Sequence, residues 1–210
     1  MKNMKSIVLA IAVVALSGAG VAPSQAVENS PVTETTTVEV PMYIGGYDED
    51  VAKANGFEIV TDSSGAQSSV AITEKAKKIV REMKEKQAKL KANRESDGEI
   101  DLMNIVYGNC GSSSLNISRR GSNNIAIGTS YSVTFPAVSH VWSVIGNTSS
   151  QGFLENFDGL VFGGASTASS STHEIFVNNN ISAAAQVTSG SYAQLVTGGK
   201  CFSGLPSDSY

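Results

Sequence analysis

Two histidines and three acidic side chains are the residues with the clearest capacity for acid–base chemistry. His140 and His173 are the two histidines of the chain, and Glu155, Asp158 and Glu174 lie between or beside them. A histidine that deprotonates a hydroxyl nucleophile and is itself oriented by a carboxylate is the arrangement of a nucleophilic hydrolase. The sequence therefore leaves open a hydrolase in which His140 or His173 is the base.

The local sequence does not match a hydrolase motif. No Gly-Asp-Ser-Gly-Gly surrounds a serine nucleophile, and neither histidine is followed by a cysteine. His140 alternates with Trp142 along a strand-like segment, which favours a packed or surface position over a catalytic one. We therefore assign no catalytic residue.

Glu155 and Asp158 are a second candidate for chemistry. Two nearby carboxylates could act in a glycosidase or help to bind calcium, but no further acidic residue lies close in the sequence. An ordinary loop is the simplest interpretation. The candidate binding residues are Glu155, Asp158, His173 and Glu174, and no metal or cofactor site is predicted.

Aromatic residues suggest a different chemistry, the stacking of sugar rings. Trp142, the single tryptophan, is more typical of a core residue than of a ligand platform. The tyrosines Tyr107, Tyr131 and Tyr192 would form a sugar-stacking strip if they shared an exposed face. The alternation of Tyr131 with Ile125 and Ile127 predicts that Tyr131 points inward.

The two cysteines predict one disulfide between Cys110 and Cys201. It closes a loop of about ninety residues, which is worth roughly 4–5 kcal/mol in the chain-entropy model. Two cysteines so far apart, with two unclustered histidines, do not indicate a zinc site. We expect the pair to tie the first strand of a β domain to the last.

Charge is distributed unevenly along the chain. Residues 105–210 carry four acidic and three basic side chains, whereas the remaining fifteen acidic and twelve basic ones lie upstream. A domain with so little positive charge has no field to attract phosphates, so we expect no nucleic-acid partner. The asymmetry also predicts a boundary near residue 100.

The first 26 residues have the pattern of a secretory signal peptide. A basic start at Lys2 and Lys5 precedes the apolar run Ile7–Leu16, and Ser24-Gln25-Ala26 is a small-x-small cleavage site. The run is too short to cross a bilayer, and no later stretch is apolar enough to do so. We therefore expect a secreted, bacterial-type extracellular protein without a transmembrane segment.

Four segments separate the signal from the β domain. Residues 27–41 predict a disordered, acidic and Thr-rich arm, and residues 42–72 a small unit of one short helix and one hairpin. Residues 73–95 predict a basic amphipathic helix that begins after Thr73, and residues 96–104 a linker. The helix carries nine basic side chains against four acidic ones. A solvated spacer, a helix that contacts anionic lipid or wall polymer, and a short coiled coil all fit this pattern.

Residues 105–210 are predicted to form a disulfide-closed β domain. Short apolar segments recur between turn signals, which indicates a β-sandwich or small barrel of about seven or eight strands. Pro136 is expected to end the strand that begins at Ile125, and the run Gly163–Thr172 is expected to be a mobile loop.

The fold class predicted is thus a mainly β C-terminal domain preceded by a charged α-helical pro-like or spacer segment. The favoured function is a secreted, non-enzymatic binding module for a surface glycan, a cell-wall polymer or a protein. A secreted antagonist (bacteriocin, toxin or inhibitor) made as a pro-form is the first alternative, and a hydrolase with an unrecognised site is the second. The sequence does not indicate an oligomeric state.

Overall fold

A computed structural model describes residues 40–94, 104–160, 166–177 and 182–210 of the chain. The predicted signal peptide, all but the last two residues of the arm 27–41 and all but the last residue of the linker 96–104 lie outside these ranges, as do the first residues of the run Gly163–Thr172. The described residues form a mostly β protein. Its elements, in chain order, are β1 (Tyr43–Tyr47), α1 (Glu49–Ala54), β2 (Phe57–Thr61), β3 (Gln67–Ala71), α2 (Glu74–Arg94), β4 (Ile105–Gly108), β5 (Gly111–Arg120), β6 (Asn124–Val141), β7 (Ser143–Thr148), β8 (Gly152–Asn156), β9 (Gly159–Leu160), β10 (Ser166–Phe176), β11 (Ala183–Val187), β12 (Tyr192–Leu195), β13 (Gly199–Phe202) and β14 (Ser207–Ser209).

Both helices begin at side-chain caps. The Asp48 carboxylate accepts a hydrogen bond from the Val51 backbone N–H at 3.0 Å at the start of α1, and the Thr73 hydroxyl accepts one from the Ala76 N–H at 3.2 Å at the start of α2. Such caps satisfy backbone donors that have no partner within a helix. Thr73 is the residue that the sequence predicts as the cap.

The segment 42–72 contributes to the same sheet as the C-terminal strands. β1 pairs antiparallel with β13, Ile44 lying opposite Cys201. Met42 is fully buried in the main core, and its carbonyl accepts a hydrogen bond from the Asn109 N–H at 3.0 Å. A side chain at Gly108 would collide with the Met42 backbone, so this close approach requires a glycine.

Helix α2 is anchored by its first turns. Ala76 is fully buried with Ala52, Phe57 and Val196 in a second apolar cluster, against which Ile79 and others pack. The beginning of α2 is therefore docked on the β structure and is not a free spacer. Within the described residues, no helix is both long and apolar enough to cross a membrane.

Strand β6 does not end at Pro136, contrary to the prediction. It continues to Val141 because its neighbours change near the proline. Ala137 pairs with Leu195 of β12 and with Ser166 of β10, beyond a break in the β10 register. Proline lacks the backbone N–H that a regular ladder needs, and it is tolerated where the ladder is interrupted. The Pro136 carbonyl still accepts a hydrogen bond from the Val196 N–H at 2.8 Å.

Two sheets build a nearly closed barrel. The eight-stranded sheet has the order β1-β13-β12-β6-β5-β4, with β9 and β10 also paired to β6, and the four-stranded sheet has the order β14-β11-β7-β8. Side chains connect the two sheets. The Asp208 carboxylate of β14 accepts a hydrogen bond from the Ile117 N–H of β5 at 2.8 Å, and Glu155 of β8 pairs with His173 of β10. The predicted sandwich or small barrel is confirmed.

The interior is filled by alternate residues of the strands. Ile125, Ile127, Trp142 and Val144 are buried in one cluster with residues of β5 and β11. The predicted disulfide is present: Cys110, in the turn before β5, is bonded to Cys201 of β13 across 91 residues of sequence. The disulfide therefore joins the turn between β4 and β5 to β13.

Candidate functional site

His140 is held by hydrogen bonds on both ring nitrogens. Nε2 lies 2.5 Å from the Phe157 carbonyl oxygen, and Nδ1 lies 3.1 Å from the Tyr131 hydroxyl. Because a carbonyl can only accept, Nε2 donates to Phe157, and the Tyr131 hydroxyl is the partner of Nδ1. Both nitrogens are occupied by the fold, so His140 is a structural residue that connects β6 to the segment after β8.

Trp142 and Asp158 belong to the same structural network. The Trp142 indole N–H donates to the Thr129 hydroxyl at 2.9 Å in the buried interior. Its backbone N–H donates to the Asp158 carboxylate at 2.5 Å. Trp142 is a core residue, as its pattern favours. Asp158 accepts a hydrogen bond from the backbone at the junction of β6 and β7.

His173 and Glu155 are brought together by the barrel. Their Nδ1 and Oε2 atoms are 3.3 Å apart, and the His173 ring stacks on Phe157 with 4.0 Å between ring centroids. A histidine oriented by a carboxylate is two-thirds of a catalytic triad. Among the described residues, however, no serine, threonine or cysteine side chain is recorded in a hydrogen bond to either histidine.

The four binding candidates from the sequence do not form one site. Glu155 and His173 are paired, Asp158 binds a backbone N–H, and Glu174 lies on the opposite face of β10, with its carboxylate 4.0 Å from Arg120 Nε. No group of three or more metal-binding side chains occurs in the described part of the chain. These residues connect elements of the barrel to one another.

Burial also separates the tyrosines. Tyr131 is 4% exposed and points inward, as predicted, with its ring centroid 5.2 Å from that of Trp142. Burial raises the pKa of Tyr131, and a hydrogen bond with the Ser169 side chain acts in the opposite direction. Tyr192 packs near Phe202. Tyr107 stays at the surface, 47% exposed, so the three tyrosines do not share one exposed face and form no sugar-stacking strip.

A different surface is formed by small polar side chains. Cross-strand partners in an antiparallel sheet point to the same face. Tyr107 pairs with Ser112, which pairs with Ser132, and Ser132 pairs with Ala168. The next row of cross-strand partners, formed by Ile105, Ser114, Ser130 and Ser170, also consists mainly of serines. We call this surface the serine face; it comprises Ile105, Tyr107, Ser112, Ser114, Asn116, Ser118, Gly128, Ser130, Ser132, Ala168, Ser170 and Thr172.

The side chains of the serine face are mostly short, and their hydroxyls lie close to the sheet. Ser114 Oγ and Ser130 Oγ are 2.7 Å apart, and Ser170 and Thr172 are exposed. Near β4 the surface forms a hollow of about 390 Å³. Its lining includes Ile105, Tyr107 and the serines Ser112, Ser114, Ser130, Ser132 and Ser170. The hollow offers many hydroxyl donors and acceptors beside one aromatic ring.

Helix α2 borders this surface. A second hollow of about 400 Å³ lies between α2 and the sheet, with Met83 and Lys86 on one side and Tyr107, Ser112 and Ser132 on the other. Those last three residues also line the first hollow. The Lys86 ammonium donates to the Thr167 hydroxyl of β10 at 2.8 Å. The helix therefore forms one end of the serine face.

The sequence carries a local signal for part of this surface. The run Gly163–Thr172 was predicted to be a mobile loop, but Ser166–Thr172 belong to β10, which pairs along β6. Polar residues at every second position of Ser112–Ser118 and Ser130–Ser132 have the period of strands with one polar face. What the sequence could not provide was the pairing that aligns these strands.

Comparisons with protein-family models, with curated proteins and with solved structures gave no match to this chain.

Proposed function

We propose that the protein is a secreted, non-enzymatic binding module that engages a glycan or cell-wall polymer through the serine face. The observation that carries the proposal is the serine-lined hollow at Tyr107, in which exposed hydroxyls adjoin an exposed aromatic ring. Sugar hydroxyls exchange hydrogen bonds with such groups, and the C–H faces of sugar rings pack on aromatic rings.

The charge of the surface supports a neutral ligand. The twelve residues of the serine face are uncharged. The charges that border the face are Lys86 of α2 at one end and the Arg120–Glu174 pair at the other. Phosphate-rich ligands require clustered lysines and arginines, which this face lacks in its sequence. A protein partner of ordinary affinity would instead need a larger apolar centre. Hydroxyl-rich polymers fit the composition best.

Export is part of the proposal because a disulfide-bonded chain persists in an oxidising compartment. The Cys110–Cys201 bond supports that placement, together with the signal-peptide pattern of residues 1–26. Mass spectrometry of the N-terminus of the secreted protein tests it. A mature chain starting at Val27 is the expected result, and retention of residues 1–26 in the cell-associated protein contradicts it.

Binding is tested by retention of the mature protein on insoluble cellulose, chitin, xylan and isolated cell walls. We expect retention on at least one of them, with loss in Tyr107→Ala and in Ser170→Arg, which places a long charged side chain on the face. Tyr210→Ala and Asn147→Arg are matched controls on other surfaces, and they should bind like the wild type. Failure of the wild type to bind any of the four polymers would contradict the proposal.

A further inference from the structure

The serine face has an exposed aromatic residue at each end. Tyr107 of β4 lies at one end, 47% exposed, and Phe176 of β10 lies at the other, 68% exposed. Phe176 has the same strand parity as Ser170 and Thr172, without a register break between them. Its side chain therefore points to the same side of the sheet as the serine rows.

The two aromatic residues are far apart along the strands. Phe176 pairs with Asn124, whereas Tyr107 is linked through Ser112 to Ser132. Asn124 and Ser132 are eight residue steps apart along β6. At about 3.3 Å per residue they span roughly 27 Å, and a mono- or disaccharide is far too short to contact both rings.

The surface between the two rings is uncharged from Tyr107 to Thr172, and the Arg120–Glu174 pair then crosses it before Phe176. From the Tyr107 end it presents two rows of serines, then the row of Asn116, Gly128 and Thr172. A Cβ atom at Gly128 would have no contact closer than 3.5 Å, so the glycine keeps the centre of the face low. Near Phe176 the Arg120–Glu174 pair places one charge of each sign, 4.0 Å apart.

We propose that the ligand is an uncharged, extended glycan chain that crosses the serine face obliquely and contacts both Tyr107 of β4 and Phe176 of β10. This inference rests on the proposed function and makes it more specific, because it requires a polymer rather than a small sugar. The chain would follow the serine rows by hydrogen bonds and stack one ring at each end. Binding energy then accumulates with ligand length until both aromatic residues are engaged.

Calorimetry with cello-, chito- and xylo-oligosaccharides of increasing length, from the disaccharide to the octasaccharide, tests the inference. We expect the octasaccharide of the retained polymer to bind at least about tenfold more tightly than its disaccharide. Tyr107→Ala and Phe176→Ala should each weaken octasaccharide binding about tenfold, the usual effect of removing an aromatic anchor. Leu154→Ala, a truncation of a residue 58% exposed on the other sheet, is the control and should bind normally.

The outcomes separate this inference from the proposed function. Two results would disprove the extended site and leave binding at the Tyr107 hollow in place. The first is a wild type that is retained on a polymer but binds its disaccharide and octasaccharide equally. The second is normal binding by Phe176→Ala together with loss of binding by Tyr107→Ala. If no oligosaccharide and no insoluble polymer binds, both are disproved. Circular dichroism of each variant verifies that it is folded.

Discussion

His173 Nδ1 of β10 lies 3.3 Å from Glu155 Oε2 of β8, and this pair connects the two sheets on one side of the barrel. The His173 ring also stacks on Phe157, which follows β8 directly. The pair that most resembles part of a catalytic site thus lies where the two sheets meet. Its evident role is to hold the edge of β10 against the four-stranded sheet.

Removal of His173 should therefore destabilise the fold. His173→Ala loses both the stacking on Phe157 and the hydrogen bond to Glu155, and we expect the free energy of unfolding to fall by about 1–2 kcal/mol. Glu155→Gln loses only the charge and should cost less than about 1 kcal/mol, because the pair is partly exposed. Urea denaturation measures both values.

Glu174→Gln is the matched control for this prediction. Glu174 is adjacent in sequence, but its carboxylate is exposed and 4.0 Å from Arg120. We expect its loss to change the free energy of unfolding by less than about 0.5 kcal/mol. Equal stabilities for His173→Ala and Glu174→Gln would contradict the structural role of His173.

The hydrogen bond between the Trp142 indole and the Thr129 hydroxyl should be important for stability because it is buried. Thr129→Val keeps the shape of the side chain but leaves the indole N–H without its acceptor, at a cost of about 1–3 kcal/mol. Thr172→Val, the same substitution at an exposed position of β10, is the control. A double-mutant cycle with Trp142→Phe gives the coupling energy, and a coupling near zero would show that this bond contributes nothing.

The sequence predicted the fold where local patterns decide it. Alternation from Ile125 to Tyr131 indicated a half-buried strand, and Thr73 indicated a helix start; both follow from short-range chemistry. The prediction that β6 ends at Pro136 is wrong because the effect of a proline depends on the neighbouring strands. A proline ends a strand in a regular ladder but is accommodated where partners change.

The candidate site was predicted poorly for a related reason. Glu155, Asp158, His173 and Glu174 were selected because their side chains can carry out chemistry, but only the pairing of strands decides which of them meet. Serines at alternate positions are unremarkable in one strand. They become a surface when three strands are aligned in register, as Ser114, Ser130 and Ser170 are.

The disulfide should contribute substantially to stability because it closes a loop of 91 residues. Replacement of both Cys110 and Cys201 by alanine should lower the free energy of unfolding by about 2–5 kcal/mol. Guanidinium denaturation of the variant and of the oxidised wild type measures the difference. A loss under about 1 kcal/mol would mean that strand pairing of β13 with β1 and β12 already provides the constraint.

Tyr131 should make the protein sensitive to alkaline pH. Burial raises its pKa above the ordinary value of 10.0, so at high pH the folded state holds a proton that the unfolded state releases. Stability from this group is complete below about pH 10 and falls as pH rises above it. Tyr131→Phe loses a hydrogen bond to His140 but should show a flatter decline above pH 10. Parallel stability–pH curves for the two proteins would contradict this.

Met42 tests whether the segment upstream of residue 105 is integral to the β structure. It is fully buried in the main core, and its carbonyl binds the Asn109 N–H, so Met42→Ala should lower the free energy of unfolding by about 2–5 kcal/mol. Ile72→Ala, in the same segment but 52% exposed, is the control and should cost less than about 1 kcal/mol. A pro-form cleaved near residue 100 would lose Met42 and β1 together, so a chain starting at Asn104 should be destabilised at least as much as Met42→Ala. Equal stability of that shortened chain and the full one, measured by urea denaturation, would show that the upstream segment is dispensable.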